Sequence, residues 1–394
     1  MSTFLIIEPN ADGHRMNYVK WSAKALLDCG HQVKLITTPA ATKHPMFQDA
    51  LIYCDGKMEV AMMPDIAVGN QVGMRNLWNR HHRFWTAFAA AFKEHGAEAD
   101  LVFIPYLDHC DKAFSVLGSP FGKAPWAGVS MRLTFHHAAM GIKSPASRNH
   151  AAERALYRRL LKSPTLRTLF VIDESLHLYT QHHLPKLAGK VTYLADPQEL
   201  SNTMTREQAR ARLGVEDRFV ILLYGSLTAR KGIRRLIEAT ISSDFPSNGL
   251  TLIAGKPDGE TCALLESPDA KKAQELGRLL VVARHASSEE EEIYFRSSDL
   301  VWLAYEGHYG SSGVLSLAAA AGVPVVGSED GVSSWEIQRS RLGLILKSND
   351  MTGALLLRAR SEERTGDDFH SFCARHTVDQ FVERLAASLV RSPE

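Results

Sequence analysis

Cysteine is scarce in this sequence, and its spacing is irregular. Five cysteines occur among 394 residues, and no two of them form a C-x-x-C pair. An odd number of widely separated cysteines is not the pattern of a disulfide framework or of a thiolate zinc site. The sequence therefore predicts reduced thiols, which are typical of a cytosolic protein. The five are Cys29, Cys54, Cys110, Cys262 and Cys373.

Long apolar runs are missing as well. The longest, Val314 to Val326, contains Gly322 and Pro324 and is too short to span a bilayer. No basic residue precedes the short run from Phe4 to Ile7, so this run indicates a strand rather than a signal peptide. These features predict a cytoplasmic protein, in which any membrane contact is peripheral and at the inner face.

The net charge of the chain is close to zero, but the charge is spread unevenly along it. The net charge is +1, and no stretch combines dense basic charge with a nucleic-acid-reading motif, which excludes nucleic acid as a predicted partner. The first 200 residues carry 22 Lys and Arg against 17 Asp and Glu. This mild excess favours an anionic partner for the first half of the chain.

What the sequence does contain is an alternation of apolar strands and amphipathic helices. Phe4–Ile7 predicts a buried strand, 16–27 a helix that ends at Gly30, and 33–37 a second strand. The alternation is typical of a doubly wound parallel sheet. Further strands are predicted in the first half at 101–104, 127–131, 168–172 and 190–194.

The second half of the chain restarts the same alternation after a break near 197–215. The fold class predicted is therefore α/β, with two Rossmann-like domains in tandem, divided as 1–200 and 201–372, followed by an amphipathic helix over about 369–390. Strands are predicted at 219–224, 250–255, 279–283, 299–303 and 323–326, and helices at 233–241 and 314–321.

The strongest candidate site is the loop from Tyr224 to Gly232, between a predicted strand and helix. It contains Gly225 and Ser226 and ends in Arg230 and Lys231. Adjacent cations and free N–H groups at a helix start can hold a diphosphate. The other interpretation is a basic turn in solvent, and the position of the loop at the opening of the second half favours the phosphate role.

A second candidate loop runs from Tyr305 to the helix that starts near Val314. Its small residues would expose backbone N–H groups to phosphate or sugar oxygens. Close helix packing is the alternative, and it explains the alanines at 318–321 but not the small residues before them. The predicted ligand-binding turn is Tyr309, Gly310, Ser311, Ser312 and Gly313.

Three strand exits in the first half are further candidates. The first loop holds Asp12, Gly13 and His14, and Gly13 could bring backbone N–H groups close to a ligand. Asp108 and His109 follow the strand 101–104, where a carboxylate beside an imidazole could handle a proton or hold an acceptor hydroxyl. Arg132 follows the strand 127–131 and could neutralise an anionic acceptor. A plain turn, a capping aspartate and an exposed histidine are the alternatives.

Metal ligation and cofactors are not predicted. The sequence has no H-x-x-x-H pattern and no Asp-x-Asp after a strand. A metal-free enzyme would stabilise a leaving diphosphate with cations and helix N-termini, which Arg230, Lys231 and the 310–313 turn supply.

This ordered set of motifs resembles family 4 of the retaining GT-B glycosyltransferases over nearly the whole chain. The loop 225–232 resembles the family's Gly-Arg-Leu-x-x-x-Lys-Gly motif, and Ala320 to Val326 resembles a second motif. In the first half, Gly13 and the stretch from Ala25 to Val33 resemble the opening motif. The terminal segment, 373–394, resembles a helix that crosses back to the N-terminal domain.

The resemblance implies an N-terminal acceptor domain and a C-terminal donor domain that face each other across a cleft. It implies transfer of a sugar from a nucleoside-diphosphate sugar to an acceptor hydroxyl, with retention and without metal. The donor would contact Gly13, Ser226, Arg230, Lys231 and the 309–313 turn, and Arg284 and His285 would lie near the base. Asp12, His14 and Arg132 are the predicted acceptor contacts, and Asp108 and His109 the predicted catalytic residues.

The sequence departs from that family at several positions. Ser226 stands where the family usually has arginine, and its paired glutamates fall at Tyr309 and Leu317. A leucine side chain cannot form hydrogen bonds with the ribose hydroxyls of a donor. Two other functions therefore remain open: a sugar-nucleotide 2-epimerase of the same architecture, and a catalytically silent partner subunit.

Two basic stretches favour a lipid-linked saccharide as acceptor. Residues 75–85 place Arg and His beside Trp and Phe on a predicted helix, and 154–167 hold five basic residues. Such helices suit the surface of an anionic membrane. The alternatives are aromatic residues packed in the core with arginines facing water, and a soluble acidic acceptor.

Overall fold

The computed structural model describes residues 1–11, 15–66, 74–197, 199–347, 352, 356 and 366–390. The chain forms two compact units. Unit 1 comprises Met1–Met140, Pro145–Asp196 and a final segment from Val378, and unit 2 comprises Gly141–Ser144 and Pro197–Thr377.

Unit 1 is built on a seven-stranded parallel sheet of order β3-β2-β1-β4-β5-β6-β7. Its central strands are buried on both faces, which is why they read as continuous apolar runs. The strands are β1 (Thr3–Ile7), β2 (Gln32–Thr37), β3 (Glu59–Met62), β4 (Leu101–Ile104), β5 (Trp126–Ser130), β6 (Leu166–Val171) and β7 (Val191–Tyr193).

Helices cover both faces of this sheet. Side chains alternate along β1, so that Phe4 and Ile6 join one core and Leu5 and Ile7 the other. The helices are α1 (Arg15–Asp28), α2 (Pro39–Thr42), α3 (Pro45–Tyr53), α4 (Met74–His95), α5 (Asp111–Leu117), α6 (His150–Leu161) and α7 (Glu174–His183).

Unit 2 has a six-stranded parallel sheet of order β10-β9-β8-β11-β12-β13. Its two cores again lie on opposite faces of the sheet, as the alternating strand residues require. The strands are β8 (Phe219–Tyr224), β9 (Gly249–Ala254), β10 (Leu279–Val282), β11 (Leu300–Leu303), β12 (Val325–Ser328) and β13 (Gly343–Leu346).

Most helices of unit 2 connect successive strands, whereas its first helix precedes the sheet and its last follows the sheet. The helices are α8 (Arg206–Leu213), α9 (Ile233–Ile241), α10 (Gly259–Leu265), α11 (Pro268–Glu275), α12 (Ser288–Ser297), α13 (Gly313–Ala320), α14 (Gly331–Arg339) and α15 (Gly366–Cys373).

The last helix, α16 (Val378–Val390), belongs to unit 1. Phe381 packs edge-on against Tyr18 and Trp21 of α1, with ring centroids 5.4 and 5.5 Å apart. Leu385 and Leu389 are buried in the same core. The apolar face of this helix therefore completes one side of unit 1.

The predicted α/β class with two parallel sheets is confirmed, but three details differ. The strands β3 and β13 had no counterpart in the sequence prediction. Both are short edge strands with half-exposed residues, so they lack the continuous apolar signal of the central strands. The single helix predicted over 369–390 is two helices, because residues 374–377 interrupt it.

Helices that combine the length and the apolar character needed to cross a bilayer were not found among the described residues.

Candidate functional site

The two loops singled out in the second half of the sequence are neighbours in unit 2. The order of its sheet reverses between β8 and β11, so the connections that follow these two strands run in opposite directions. Open parallel sheets bind ligands at the carboxyl ends of strands at such a reversal. Residues 225–232 follow β8 and residues 304–312 follow β11. Both loops therefore lie where this topology forms a binding site.

The first loop opens with a tight turn that only glycine permits. Gly225 has φ +98°, and its N–H donates to the Ala254 carbonyl at 3.0 Å. A Cβ on Gly255 would lie 1.8 Å from the Gly225 oxygen. Leu227 continues the contact, because its N–H donates to the Lys256 carbonyl at 2.9 Å. The loop is thus fixed against the end of β9.

Lys231 lies inside the loop rather than in solvent. Its side chain donates hydrogen bonds to the carbonyl of Tyr224 and, at 3.2 Å, to the hydroxyl of Tyr305. Burial, with a contribution from the neighbouring Arg230, lowers the pKa of Lys231 to about 8. Trp302 also fixes the backbone, because its Nε1 donates to the Lys231 carbonyl at 2.9 Å. The loop therefore positions a cation that titrates close to neutral pH.

Arg230 and Ser226 are exposed on the same loop. The Arg230 carbonyl accepts a hydrogen bond from the Glu306 N–H at 2.6 Å, which ties the loop after β8 to the loop after β11. In the part of the chain that the structure describes, the Arg230 guanidinium makes no ion pair. Its charge is thus available to a ligand at this edge.

The turn that precedes α13 is fixed by hydrogen bonds from the first residues of α14. Ser333 Oγ donates to the Gly310 carbonyl at 3.0 Å, and the Val332 N–H donates to the Tyr309 carbonyl at 3.1 Å. Gly331 has φ +81°, and a Cβ there would lie 2.7 Å from the Tyr309 Cα. This close approach fixes the half-buried residues 309–313 at the start of α13. The Leu315 N–H donates to the Ser312 carbonyl at 2.9 Å, whereas the first N–H groups of a helix have no intrahelical acceptors.

Tyr305 connects the two predicted donor loops. Burial raises the pKa of its hydroxyl far above the ordinary value, and a hydrogen bond with Ser312 opposes that shift. The same hydroxyl accepts from Lys231. The loop cation and the 309–313 turn are therefore joined through one buried phenol.

Arg284 and His285 are both exposed after β10. Arg284 forms a two-point ion pair with Glu290 at the start of α12, with one N–O distance of 2.8 Å. Glu290 is also the third residue of a capping box with Ser287. Arg284 is therefore held against the first turn of α12.

A half-buried carboxylate that the sequence analysis missed lies beside the first loop. Glu291 on α12 accepts a hydrogen bond from the Tyr224 hydroxyl, and burial raises the pKa of Glu291. Tyr224 ends β8 immediately before Gly225. In the sequence, the four consecutive glutamates at 289–292 are typical of a charged helix N-terminus. Nothing in that pattern distinguished Glu291, which contacts the end of β8, from the other three.

In unit 1 the sheet order reverses between β1 and β4. Glu8 follows β1, and Tyr106, Asp108 and His109 follow β4. The predicted residues Asp12, Gly13 and His14 lie outside the described residues. The described part of this edge nevertheless contains two carboxylates, a tyrosine and a histidine.

Asp108 ties the end of β4 to the end of β5. Its carboxylate accepts hydrogen bonds from Ser130 Oγ at 3.1 Å and from the Met131 N–H at 3.2 Å. Burial raises the pKa of Asp108 to about 6, and these hydrogen bonds oppose the shift. The group is therefore ionised at neutral pH but close to the range in which it takes up a proton.

His109 is enclosed by aromatic rings and an arginine. It stacks on Phe84 at 4.8 Å and contacts Tyr106 at 4.7 Å between ring centroids. Arg15 Nη2 lies 3.0 Å from His109 Nε2, and because arginine can only donate, this nitrogen accepts. Burial, followed by the charge of Arg15, lowers the pKa of His109 to about 3. The ring is thus neutral, with its lone pair engaged.

Arg132 and Arg15 both lie against the ring of Tyr106. Their guanidinium carbons are 5.6 and 4.6 Å from the ring centroid. Two cations next to one aromatic ring make this edge of unit 1 electropositive.

Glu8 and Arg15 are residues of this edge that the sequence analysis missed. Glu8 is 1% exposed and accepts from the Asn10 N–H at 3.0 Å. Burial raises the pKa of Glu8 to about 8, and the charge of Arg15 opposes that shift. The signal in the sequence was the position of Glu8 directly after the first buried strand.

Comparison with known proteins gives matches at the level of structure alone. No family model and no curated protein sequence matches the chain. Sucrose-phosphate synthase from Thermosynechococcus elongatus superposes with a TM-score of 0.64 at 16% identity, over 98% of this chain and 94% of that one. HepE of Anabaena, solved with UDP, gives 0.67 at 13% identity, over 99% and 100%.

WaaG, a glycosyltransferase involved in lipopolysaccharide biosynthesis, gives a TM-score of 0.61 at 15% identity, and the match covers 100% of both chains. These proteins have the GT-B architecture, and each match spans essentially both units. Two parallel sheets of seven and six strands with flanking helices agree with that architecture. This chain therefore has the GT-B fold of these glycosyltransferases.

Proposed function

We propose that this protein is a glycosyltransferase that uses a nucleoside-diphosphate sugar, with unit 2 as the donor-binding unit and unit 1 as the acceptor-binding unit. The observation that carries the proposal is the buried Lys231, held at the strand-order reversal of unit 2 beside the exposed Arg230. A cation fixed at this position can stabilise the negative charge that develops on a diphosphate leaving group.

Lys231 and Arg230 would hold the diphosphate together. Tyr224 and Tyr305 occupy two of the three N–H donors of Lys231, which leaves one for a phosphate oxygen. Arg230 offers planar donors from the exposed side of the same loop. Ser226 follows the turn and is exposed as well.

The 309–313 turn would bind the sugar and the distal phosphate. The backbone N–H groups of Gly313 and Val314, the first two residues of α13, are the proposed donors, and α14 fixes the turn that precedes them. Because Tyr305 joins Ser312 to Lys231, a phosphate held by the cation would lie next to this turn.

Glu291 is the proposed ribose-binding carboxylate. The position where the resembling family carries such a glutamate is Leu317, which is buried in an apolar core. Glu291 and Tyr224 supply a carboxylate and a hydroxyl at the adjacent strand end. Ribose hydroxyls can exchange for the Tyr224 hydroxyl as donors to this carboxylate.

Uracil is the base to test first. HepE was solved with UDP and with UDP-glucose, and its fold matches this chain over both units. Arg284 and His285 are the proposed residues near the base, and the Glu290 ion pair of Arg284 keeps that guanidinium at the rim.

The acceptor would bind at the strand-order reversal of unit 1. Arg132 and Arg15 beside Tyr106 favour an acceptor with anionic groups. Asp108 is the proposed group for an acceptor hydroxyl proton, because burial brings its pKa to about 6. His109 is neutral and engaged by Arg15, so it is proposed to position Arg15 rather than to take a proton.

Contact with an anionic membrane is a second element of the proposal. Trp78 on α4 is 37% exposed, and Val116 and Leu117 at the end of α5 are 39% and 45% exposed. Arg159 on α6 donates to the Val116 carbonyl at 3.2 Å, which places a cation beside the end of α5. Arg154, Arg158 and Lys162 are exposed on or just after the same helix. Such a surface suits a lipid-linked acceptor.

Phe84 does not belong to that surface, because it is buried, and Trp85 is half-buried with its Nε1 donating to the Gly118 carbonyl at 2.8 Å. These two aromatic residues therefore pack against the core of unit 1. Arg75 lies where the structure describes only the backbone.

Titration of purified protein with nucleoside diphosphates, followed by assay with the corresponding sugar nucleotides, tests the proposal. We expect one diphosphate to raise the unfolding temperature, since it binds the native state. We further expect sugar transfer only with an acceptor, and an anomeric configuration in the product that equals that of the donor. Conversion of the sugar nucleotide without acceptor would indicate an epimerase, and binding without any turnover a silent subunit.

A further inference from the structure

Three side chains with metal-binding atoms meet in unit 1, away from the residues discussed so far. His136 and His137 lie between β5 and α6, where His137 begins a short 3-10 helix. Asp173 follows β6 and is the N-cap of α7. One ligand atom from each of the three lies within 4.8 Å of the other two.

The three side chains are buried, and their polar atoms are incompletely satisfied. His136 and His137 are 0% and 1% exposed, and Asp173 is 6% exposed. Within the described ranges, neither ring nitrogen of His137 has a hydrogen-bond partner, and Nδ1 of His136 has none. Buried polar groups in native proteins are almost always paired with protein, water or an ion. The unpaired nitrogens of this cluster are therefore available to a ligand.

The carboxylate of Asp173 is already oriented toward the histidines. Its Oδ1 accepts hydrogen bonds from the Ser175 N–H at 2.8 Å and the Ser175 hydroxyl at 2.6 Å. Its Oδ2 lies 2.9 Å from Nε2 of His136. Hydrogen bonds that fix one oxygen of a carboxylate and leave the other facing imidazoles are typical of metal ligands.

From this arrangement we propose that His136, His137 and Asp173 bind a divalent transition metal, with zinc as the best match. Two imidazole nitrogens and one carboxylate oxygen form a common zinc ligand set, and a water can complete the tetrahedron. Hard cations such as Mg²⁺ and Ca²⁺ prefer oxygen ligands and match this set poorly.

The spacing of the three side chains allows this coordination after small movements of their ligand atoms. Ligand atoms of a tetrahedral zinc site lie roughly 3.4 Å apart. The separation of 2.9 Å between His136 Nε2 and Asp173 Oδ2 is already close to that value. A ring nitrogen of His137 lies within 4.8 Å of the other two ligand atoms, and rotation of the ring would bring it closer as the third ligand. A metal there ties the segment after β5 to the start of α7.

The test is metal binding by the full chain after removal of any affinity tag and dialysis against a chelator. We expect one equivalent of Zn²⁺ per chain, a rise in unfolding temperature when zinc is returned, and a cobalt-substituted protein with the strong visible absorption of tetrahedral Co²⁺. The cobalt spectrum distinguishes a built site from zinc held by surface histidines.

Variants show which residues hold the metal. His137→Gln should weaken zinc affinity by at least about tenfold and abolish the zinc-dependent rise in unfolding temperature. His182→Gln changes an exposed histidine on α7 and should bind zinc as the wild type does. If the stripped wild type takes up no stoichiometric zinc or cobalt, or if His137→Gln binds zinc as tightly, the cluster is not a metal site.

Discussion

The ammonium group of Lys231 donates a hydrogen bond to the hydroxyl of Tyr305, 3.2 Å away, across the strand-order reversal of unit 2. Lys231 follows β8 and Tyr305 follows β11, so one contact joins the two loops that the sequence analysis had singled out separately. The contact gives Lys231 a fixed position before any ligand arrives, which reduces the entropy lost on binding.

Removal of either loop cation should weaken donor binding. We expect Lys231→Ala and Arg230→Ala each to lose about 1.5–3 kcal/mol of binding free energy for the nucleoside diphosphate, because each removes a charge-assisted hydrogen bond. Arg234→Ala, at an exposed position of α9, is the matched control and should bind normally. Isothermal titration measures all three. Wild-type affinity in both loop variants would exclude the diphosphate assignment.

Donor affinity should decrease as the pH rises through about 8, where Lys231 loses its proton. The free protein has the lowered pKa, and a bound diphosphate raises it, because an opposite charge favours the protonated form. Affinity is therefore full below the free pKa and falls by at most about tenfold per pH unit above it. Titrations between about pH 7 and pH 9 measure this slope. Lys231→Gln should bind weakly with no such slope, and a pH-independent wild type would contradict the assignment.

Gly255→Ala should destabilise unit 2. Gly255 has φ +148°, and the added Cβ would lie 1.8 Å from the Gly225 oxygen, so both backbone strain and a clash result. We expect a loss of at least about 3 kcal/mol in the free energy of unfolding. Gly259→Ala, where a Cβ meets nothing within 4 Å, is the control. Urea denaturation compares them, and equal stability of the two variants would rule out this account of the turn.

Sugar transfer should continue in the presence of EDTA. The proposed mechanism stabilises the leaving diphosphate with Lys231, Arg230 and the N–H groups before α13. A brief exposure to EDTA removes free and exposed Mg²⁺ or Mn²⁺, whereas a buried site such as that of His136 and His137 exchanges slowly. The initial rate should be unchanged, and added Mg²⁺ should not raise it. Loss of transfer that Mg²⁺ or Mn²⁺ restores would contradict the mechanism.

Anionic vesicles should bind the protein at low ionic strength. The exposed Trp78, Val116 and Leu117 would insert at the interface, and each nearby basic residue would add about 1 kcal/mol of attraction. Flotation should decrease with salt, because screening weakens the electrostatic part. Replacement of Arg158 and Lys162 by glutamate should abolish flotation, while Lys57→Glu on an exposed site after α3 should not. If the protein does not bind vesicles at low salt, the proposed membrane contact is wrong and a soluble acceptor remains.

Much of the fold could be predicted from the sequence, because buried parallel strands are continuous apolar runs. The strands β1, β4 and β8 were predicted within one residue of their observed bounds. The edge strand β3 has half-exposed residues and includes Glu59, so its sequence lacks the continuous apolar run of a buried strand. The segment is identified as a strand only by its pairing with β2 in the folded protein.

The candidate site could be predicted only in part. Gly225, Lys231 and the 309–313 turn were recognised because glycines and adjacent cations at strand exits are local patterns. Glu291 was missed because its proposed role depends on contact with Tyr224, which is far away in sequence. Asp108 and His109 were placed at the correct strand exit, but their hydrogen bonds to Met131 and Arg15 were not predictable.

The sequence by itself determined the α/β class, the two tandem halves and the loops that follow the strands, since these depend on periodicity and on the backbone preferences of glycine. The tertiary structure decided the chemical state of the charged groups. The pKa of Lys231 falls and that of Glu8 rises because each is buried, and burial is set by segments that pack from elsewhere in the chain. Desolvation depends on three-dimensional surroundings, and no local pattern of residues encodes it.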